Sequence, residues 1–515
     1  MERFLNCLYK IVFGRTLVIV LMVILQILVL LISFTWLGSR FPFIWEFMNF
    51  LGAAVIIFII NRDEPAEFKL SWIIPLCLFP VLGALIYVSV VGNFGGIGLK
   101  AKLGRRTEET KGLLVRSKET EQAIKSCPAD FKGFAYYMEN TSGFPVYHNS
   151  SAVYYPLGED KFKDLLAELK KAEKYIFMEY FIVERGIMWN AVLDILKEKV
   201  KEGVEVRVMY DGMCSILLLP YKYPKELKKY GIKAKMFAPI VPFLSTTQNN
   251  RDHRKIVVID GKVAFTGGVN LADEYINQVE RFGHWKDVAV KITGDAVRSF
   301  TVMFLQMWNV SEKGTENYEA YLKDIVYEEP LYHDGFVIPY GETPTRSTEV
   351  AKTVYESMIN GASKYVHIMT PYFIVGRDFV DSMRYAARRG VEVAMILPHI
   401  PDKKVVYYIA RTFYPELLRA GVKIYEYTPG FVHAKIFAVD GISATVGTIN
   451  LDYRSFYHHF ECGAYFYDNS VVAKVEEDFQ NTLLKCQEVT VEYYREIPAY
   501  QKLIGRTTKL LAPLL

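Results

Sequence analysis

Two stretches of this chain carry the same polar residues at the same spacings. His253, Lys255, Asp260 and Asn270 in "HRKIVVIDGKVAFTGGVN" recur 180 positions later as His433, Lys435, Asp440 and Asn450 in "HAKIFAVDGISATVGTIN". The residues between histidine and aspartate are strand-like, so His253 and Lys255, two apart, project from one face, as do His433 and Lys435. Asp260-Gly261 and Asp440-Gly441 read as hairpin turns. A turn alone asks for neither a histidine seven residues upstream nor an asparagine ten downstream, so the pattern serves something more than a turn.

Lysine is a poor ligand for zinc or magnesium and the aspartate is committed to a turn, so no metal and no cofactor are expected. Phosphate suits the set better. Lysine supplies charge, asparagine an amide donor, and histidine a nucleophile or a proton donor near neutral pH. One copy offers one histidine. Two copies facing each other offer a nucleophile on one side of phosphorus and an acid on the other, in line, with two lysines and two asparagines around the oxygens.

The elements that must position these residues are duplicated too. "EGVEVRVMYDG" pairs with "RGVEVAMILPH", and "ELKKYGIKAKMF" with "ELLRAGVKIYEY". Self-similarity over about a hundred residues marks two related domains. In each, β-branched runs alternate with helical patterns such as "DKFKDLLAELKKAEK", where Phe162, Leu165, Leu166 and Leu169 recur at helix spacing. The expected fold is α/β: two repeats, 136–325 and 326–515, with mixed buried sheets packed about a pseudo-twofold axis.

Ahead of the repeats, residues 93–135 read as a polar, charged linker, and residues 1–92 as a membrane region of two to three apolar helices. Residues 17–37 run 21 positions without a charge, long enough to cross a bilayer as a helix and too long for a signal peptide. Residues 43–60 are shorter and include Glu46; residues 70–91 are uncharged but contain Pro75 and Pro80. Basic residues flank both ends of the region, which favours two spans plus a re-entrant segment over three spans, in a multi-pass protein of the cell membrane.

Composition agrees. The chain of 515 residues is 51% hydrophobic with a net charge of +4, which suits weak attraction to an anionic bilayer and not a nucleic-acid partner. Its six cysteines are isolated, with no spacing for a disulfide framework or structural zinc. "MCSILLLPY" from Met213, "FAPIVPFLS" from Phe237 and the terminal "LIGRTTKLLAPLL" read equally as core loops or as bilayer contacts.

The motifs are those of the phospholipase D superfamily. "NNRDHRKIVVIDGKVAFTGGVNLADEY", "HWKDVAVKITG", "GFVHAKIFAVDG" and "GTINLDYRSF", behind an apolar N-terminus, resemble the bacterial cardiolipin synthases of that superfamily over essentially the whole chain. The second copy departs modestly, with Gly447-Thr448 where Gly-Ser is common. The resemblance implies a metal-independent, two-step phosphatidyl transfer between two phosphatidylglycerols through a phosphatidyl-histidine. His253 is the expected nucleophile and His433 the acid and base. Lys255, Lys435, Asn270 and Asn450 are expected on the phosphoryl oxygens, with Asp260 and Asp440 holding local geometry. It also implies an acidic residue on the following strand to orient each imidazole; Asp287 and Glu461 stand 34 and 28 residues after their histidines. A hydrolytic phospholipase D would use the same intermediate. A nuclease or an inactive scaffold fits the membrane segments and the two complete motifs less well, and the oligomeric state is left open.

Overall fold

The computed structural model describes residues 42–79, 94–214, 218–239, 249–323, 325–327, 334–345 and 348–514, with Leu28, Ile32, Gly83, Ala84 and Tyr87 as single positions. The apolar segment 17–37 lies outside these, apart from those two positions, as do most of 70–91 beyond Phe79 and the centres of the two Pro-broken stretches.

Among the described residues five helices precede the repeats: α1 (Pro42–Ile60), α2 (Ala66–Leu78), α3 (Phe94–Glu109), α4 (Lys118–Lys125) and α5 (Ala129–Asn140). Among the described residues no helix is long and apolar enough to cross a membrane, so the multi-pass expectation is not shown here. Helix α1 leaves Phe47, Phe50, Ile57, Phe58 and Ile60 exposed. Helix α2 is docked on the C-terminal half. Phe68 meets the rings of Tyr453, Tyr457 and His458 edge-on, Glu67 accepts from the Arg377 N–H (2.9 Å), and Ser71 donates to the Leu510 carbonyl (2.7 Å). The stretch expected to be a linker is helical and packed instead. Phe131 stacks on Tyr467 with centroids 4.0 Å apart, and the buried Arg106 donates to the Asn309 and Glu312 carbonyls. Its apolar residues are few but lie on one face, enough to bury a helix on a larger core.

The first repeat runs β1 (Ser150–Tyr155), α6 (Gly158–Lys170), β2 (Tyr175–Tyr180), α7 (Ile187–Lys201), β3 (Glu205–Asp211), α8 (Tyr223–Lys228), β4 (Lys233–Phe237), β5 (Lys255–Ile259), β6 (Val263–Gly267), β7 (His284–Lys286), β8 (Ala289–Gly294) and α9 (Val297–Asn309). The second runs β9 (Phe336–Glu342), α10 (Val350–Gly361), β10 (Tyr365–Met369), β11 (Phe373–Ile374), α11 (Arg377–Arg388), β12 (Glu392–Pro398), α12 (Lys404–Arg411), α13 (Tyr414–Ala420), β13 (Lys423–Tyr427), β14 (Gly430–Val432), β15 (Ile436–Val439), β16 (Ser443–Gly447), β17 (Leu451–Asp452), β18 (Glu461–Tyr467), α14 (Ser470–Leu483), β19 (Cys486–Glu488), α15 (Val491–Glu496) and α16 (Ala499–Lys509).

The two large sheets have the same order. The first is β1-β8-β6-β5-β2-β3-β4 and the second β9-β18-β16-β15-β10-β12-β13-β19, so each strand of the first has a counterpart. Strands β2, β3 and β4 are parallel, as are β10, β12 and β13, and the rest pair antiparallel, giving the mixed sheets expected. Strand β2, "YIFMEY", is buried along its whole length, as parallel strands covered on both faces are. Helix α9 lies against β2, β5 and β9, with Phe304 stacked on Phe177 at 4.7 Å.

Strand β6 faces β16 and β18, and β7 pairs in parallel with β14, so the repeats are joined backbone to backbone. The contacts are reciprocal. The His253 N–H donates to the Phe460 carbonyl (2.9 Å) and the His433 N–H to the Lys286 carbonyl (2.7 Å). Phe460 and Lys286 are themselves counterparts, each one residue before Glu461 or Asp287. Such i-to-j and j-to-i contacts are what a twofold relation produces.

Candidate active site

Each hairpin that carries a motif turns through an aspartate and a glycine in the left-handed region, Asp260 and Gly261 at φ 53° and 68°, Asp440 and Gly441 at 56° and 73°. The aspartates do more than turn. Asp260 accepts three backbone N–H groups at 2.8 Å, from Glu173, Lys174 and Tyr175 at the head of β2; Asp440 accepts from Ser363, Lys364 and Tyr365 at the head of β10. Each thereby ties the motif hairpin to the neighbouring central strand.

The histidines sit just before β5 and β15 and are nearly buried. His253 Nδ1 lies 2.9 Å from Glu461, and His433 Nδ1 lies 2.6 Å from Asp287. Glu461 opens β18 and Asp287 lies in the short break between β7 and β8, and the two are exchanged: each serves the histidine of the other repeat. Strands β6, β8, β16 and β18 line the seam between the repeats, so a carboxylate leaving one sheet meets the other sheet's histidine before its own. A carboxylate on Nδ1 fixes the tautomer and leaves Nε2 as the reacting nitrogen.

The acids are held differently. Asp287 also accepts its neighbour's N–H, from Val288 (2.8 Å), while Glu461 additionally accepts from the hydroxyls of Thr448 and Ser455 and lies 3.6 Å from His459. Gly268 explains part of this difference. Gly268 and Thr448 are counterparts, their N–H groups donating to Val288 and Cys462 carbonyls at 2.9 Å. A Cβ on Gly268 would lie 1.9 Å from Asp287 Oδ1. The first repeat therefore couples a glycine to a well-packed aspartate, the second a threonine to a longer glutamate that accepts its hydroxyl.

Lys255 and Lys435 are buried behind the histidines, each ammonium donating to the carbonyl of its own motif histidine. Burial lowers both, Lys255 to about 8 and Lys435 to about 7. Burial also lowers both imidazoles: His433 to about 4, with Lys435 adding to the fall and Asp287 opposing it, and His253 well below its usual range, with Lys255 and Lys435 adding. Asn270 is held at both ends, accepting from the Ile182 N–H (3.0 Å) and donating to the Tyr275 hydroxyl (2.8 Å). Asn450 Oδ1 is buried and has no hydrogen-bond partner among the described residues.

His253, His433, Asn270 and Asn450 line one cavity of about 680 Å³. Sequence reasoning assigned no role to several others on its wall: Arg251, Lys403, Arg454 and His459, with Tyr275, Trp285, Tyr372 and Phe431. Arg251, Arg281, Lys403 and Arg454 on this wall suit a phosphodiester, and they share it with Glu274, Asp402 and Asp452. Arg454 is lowered by burial and by the nearby Arg251, whereas Asp452 raises it. A signal was available at one pair, because Glu274 and Arg454 stand at matched positions of the two motifs with opposite charge. His253, His459 and Glu461 place three ligand-type atoms within 4.8 Å of one another. A cation bound there would occupy the ring of His253 amid Lys255 and Lys435, a poor match to the chemistry of the rest of the wall.

Comparison with known proteins agrees with this geometry. A family model described as "Cardiolipin synthase, PLD-like domain" matches residues 165–308 and 355–483, and one described as "Phospholipase_D-nuclease N-terminal" matches 48–90. An uncharacterized protein of Streptococcus mutans is 47% identical over 460 residues, 89% of this chain and 99% of that one. A cardiolipin synthase of Alkalihalophilus pseudofirmus is 36% identical over 90% of this chain and 92% of its own, and one of Geobacillus kaustophilus 33% identical over 97% and 99%. Among solved structures, phosphatidylserine synthase of Haemophilus influenzae superposes with a TM-score of 0.56 at 18% identity, covering 74% of this chain and 97% of that one, a likeness of fold. The chain belongs to the cardiolipin synthase family of phospholipase D-like proteins.

Proposed function

We propose that this chain is a phosphatidyltransferase, a cardiolipin synthase that joins two phosphatidylglycerols and releases glycerol. The observation that carries the reading is the pair of histidines from two repeats, each held at Nδ1 by the other repeat's carboxylate, lining a single cavity. One Nε2 attacks phosphorus and the alcohol departs on the far side, where the second imidazole supplies its proton.

The environments of the two histidines favour one division of roles. Asp287 gives its charge chiefly to His433 at 2.6 Å, so His433 is the better imidazolium and acts as acid, then base. Glu461 divides its charge among His253, Thr448, Ser455 and His459, so less of it falls on His253, whose imidazole burial and Lys255 lower; this favours His253 as the unprotonated nucleophile. Lys255, Lys435, Asn270 and Asn450 supply charge and amide groups at the phosphoryl oxygens once substrate draws the ammoniums off the histidine carbonyls. The two repeats, divided near residue 325, are related by an approximate twofold axis through the phosphorus. Residues 1–92 hold the enzyme to an anionic bilayer as a multi-pass anchor with both flanking basic segments in the cytoplasm; nucleic acid is not a substrate.

The test is purified protein in detergent with labelled phosphatidylglycerol and chelator. Cardiolipin and free glycerol in equal amounts are the expected products. Phosphatidic acid as sole product would identify a hydrolase, and dependence on added metal would contradict the paired-histidine chemistry.

A further inference from the structure

Two rings occupy twin positions in the cavity. Trp285 lies two residues before Asp287, and His459 two before Glu461; Trp285 is centred 5.4 Å from His433, and His459 5.4 Å from His253. Each therefore stands beside the histidine that the adjoining carboxylate holds. Both rings are nearly buried, at 5% and 6% exposure; the Trp285 Nε1–H has no hydrogen-bond partner among the described residues, whereas His459 Nδ1 lies 3.6 Å from Glu461. A buried donor without a partner is uncommon and costs about 1–3 kcal/mol, which a bound ligand recovers.

The surroundings of the two rings differ. Around His459 and His253 the wall carries Arg251 and Arg454; the counterpart positions on the His433 side are Phe431 and Glu274, and Glu274 is already paired with Arg281 at 2.8 Å. Trp285 is packed between Tyr275 (4.7 Å) and Phe431 (4.9 Å), and its backbone is clamped at both ends by the Asn277 amide (2.7 and 3.0 Å). Its N–H is thus a fixed, neutral donor on an aromatic wall, suited to a hydroxyl, while anionic oxygens find cations on the opposite flank.

We infer that the Trp285 Nε1–H binds the non-reacting hydroxyl of a vicinal diol, so that the site selects a glycerol-type alcohol over a simple alcohol or water. The inference rests on the phosphatidyl-transfer reading with His433 as acid and base, because that places the alcohol beside His433 in both half-reactions. In the second, the diol's terminal hydroxyl oxygen bonds to phosphorus as the P–N bond to His253 breaks. The electron pair returns to the imidazole, the hydroxyl proton passes to His433 Nε2, and Trp285 holds the adjacent hydroxyl oxygen.

The experiment measures transfer from labelled phosphatidylglycerol to 1,2-propanediol and to 1-propanol, alcohols of equal carbon number. One neutral hydrogen bond corresponds to about a tenfold preference for the diol in kcat/KM. Trp285→Phe keeps the ring and removes the donor; it is expected to bring that preference to within about twofold of unity, mostly through the KM for the diol. Trp285→His retains a ring N–H and is expected to keep a preference. A wild-type enzyme without diol preference, or a Trp285→Phe enzyme that retains it, overturns the inference; so does a Trp285→His enzyme that folds and loses it. Failure to transfer to either alcohol would instead remove the reading on which the inference rests.

Discussion

The assignment of His433 as acid and His253 as nucleophile is tested by removing one charge without changing shape. Asp287→Asn keeps the side chain's size beside Gly268 and replaces the carboxylate that accepts from His433 Nδ1 at 2.6 Å. Burial and Lys435 already lower this imidazole to about 4, and Asp287 opposes them, so the variant holds a proton on His433 less well still. A buried hydrogen bond to a charged group contributes about 1.5–3 kcal/mol, and loss of the correct tautomer adds to it, so the release of glycerol should slow on the order of 10²-fold. The defect belongs to proton donation. A phosphatidyl ester of p-nitrophenol, whose leaving group needs no proton, should therefore restore the first-turnover burst of Asp287→Asn to within about threefold of wild type. Glu461→Gln, which perturbs the nucleophile His253, should be slow with both substrates. Stopped-flow release of nitrophenolate reads the burst directly. Equal impairment of Asp287→Asn on both esters, or rescue of Glu461→Gln alone, would refute the assignment.

Other perturbations probe the scaffold around the pair. Gly268→Ala puts a methyl 1.9 Å from Asp287 Oδ1 and should lower kcat on the order of 10²-fold, as Asp287→Asn does, with the protein still folded by circular dichroism; near-normal turnover would contradict the packing described. Asp260→Ala strands three N–H groups at the head of β2 and should cost about 3 kcal/mol in urea unfolding of the soluble part of the signal, where an unchanged midpoint would be unexpected. His459 is lowered by burial to about 3, below its unfolded value near 6.5. Its contribution to stability is therefore complete above pH 6.5 and is lost as the pH falls from there. Thermal unfolding of His459→Asn should match the wild-type pH dependence above pH 6.5 and decline less steeply below about pH 6, by about 1.4 kcal/mol per pH unit; parallel curves down to pH 5 would mean that His459 titrates normally.

Much of this site could be read before any coordinates, for a physical reason. His, Lys, Asp and Asn at fixed spacing on a strand-turn-strand unit are conspicuous because such a hairpin needs only the Asp-Gly turn, and their duplication within one chain removes chance. The α/β repeats follow from the same periodicities, and the sheet orders agree strand for strand. What was not legible depends on the seam between the repeats. The exchange of Asp287 and Glu461 between histidines follows from which strands face each other, and local pattern carries no information on that. Arg251 and Arg454 look in sequence like ordinary surface cations, since nothing local distinguishes a guanidinium on a cavity wall from one in solvent. His459 and Trp285 became informative only as twins, and that equivalence appears only once Val288 and Cys462 are seen to accept from Gly268 and Thr448. The stretch 93–135 reads as a charged linker because helices with sparse apolar residues show little pattern until a core is present to bury them.

The most direct test of the account is to trap the covalent intermediate. His433→Ala, lacking the acid and base, is mixed with phosphatidyl-p-nitrophenol, quenched at alkaline pH, digested and analysed by mass spectrometry. The account predicts one phosphatidyl group per chain on the peptide that contains His253, and none in His253→Ala. A phosphatidyl group on any other residue, or nitrophenolate release at an undiminished rate from His253→Ala, would contradict it.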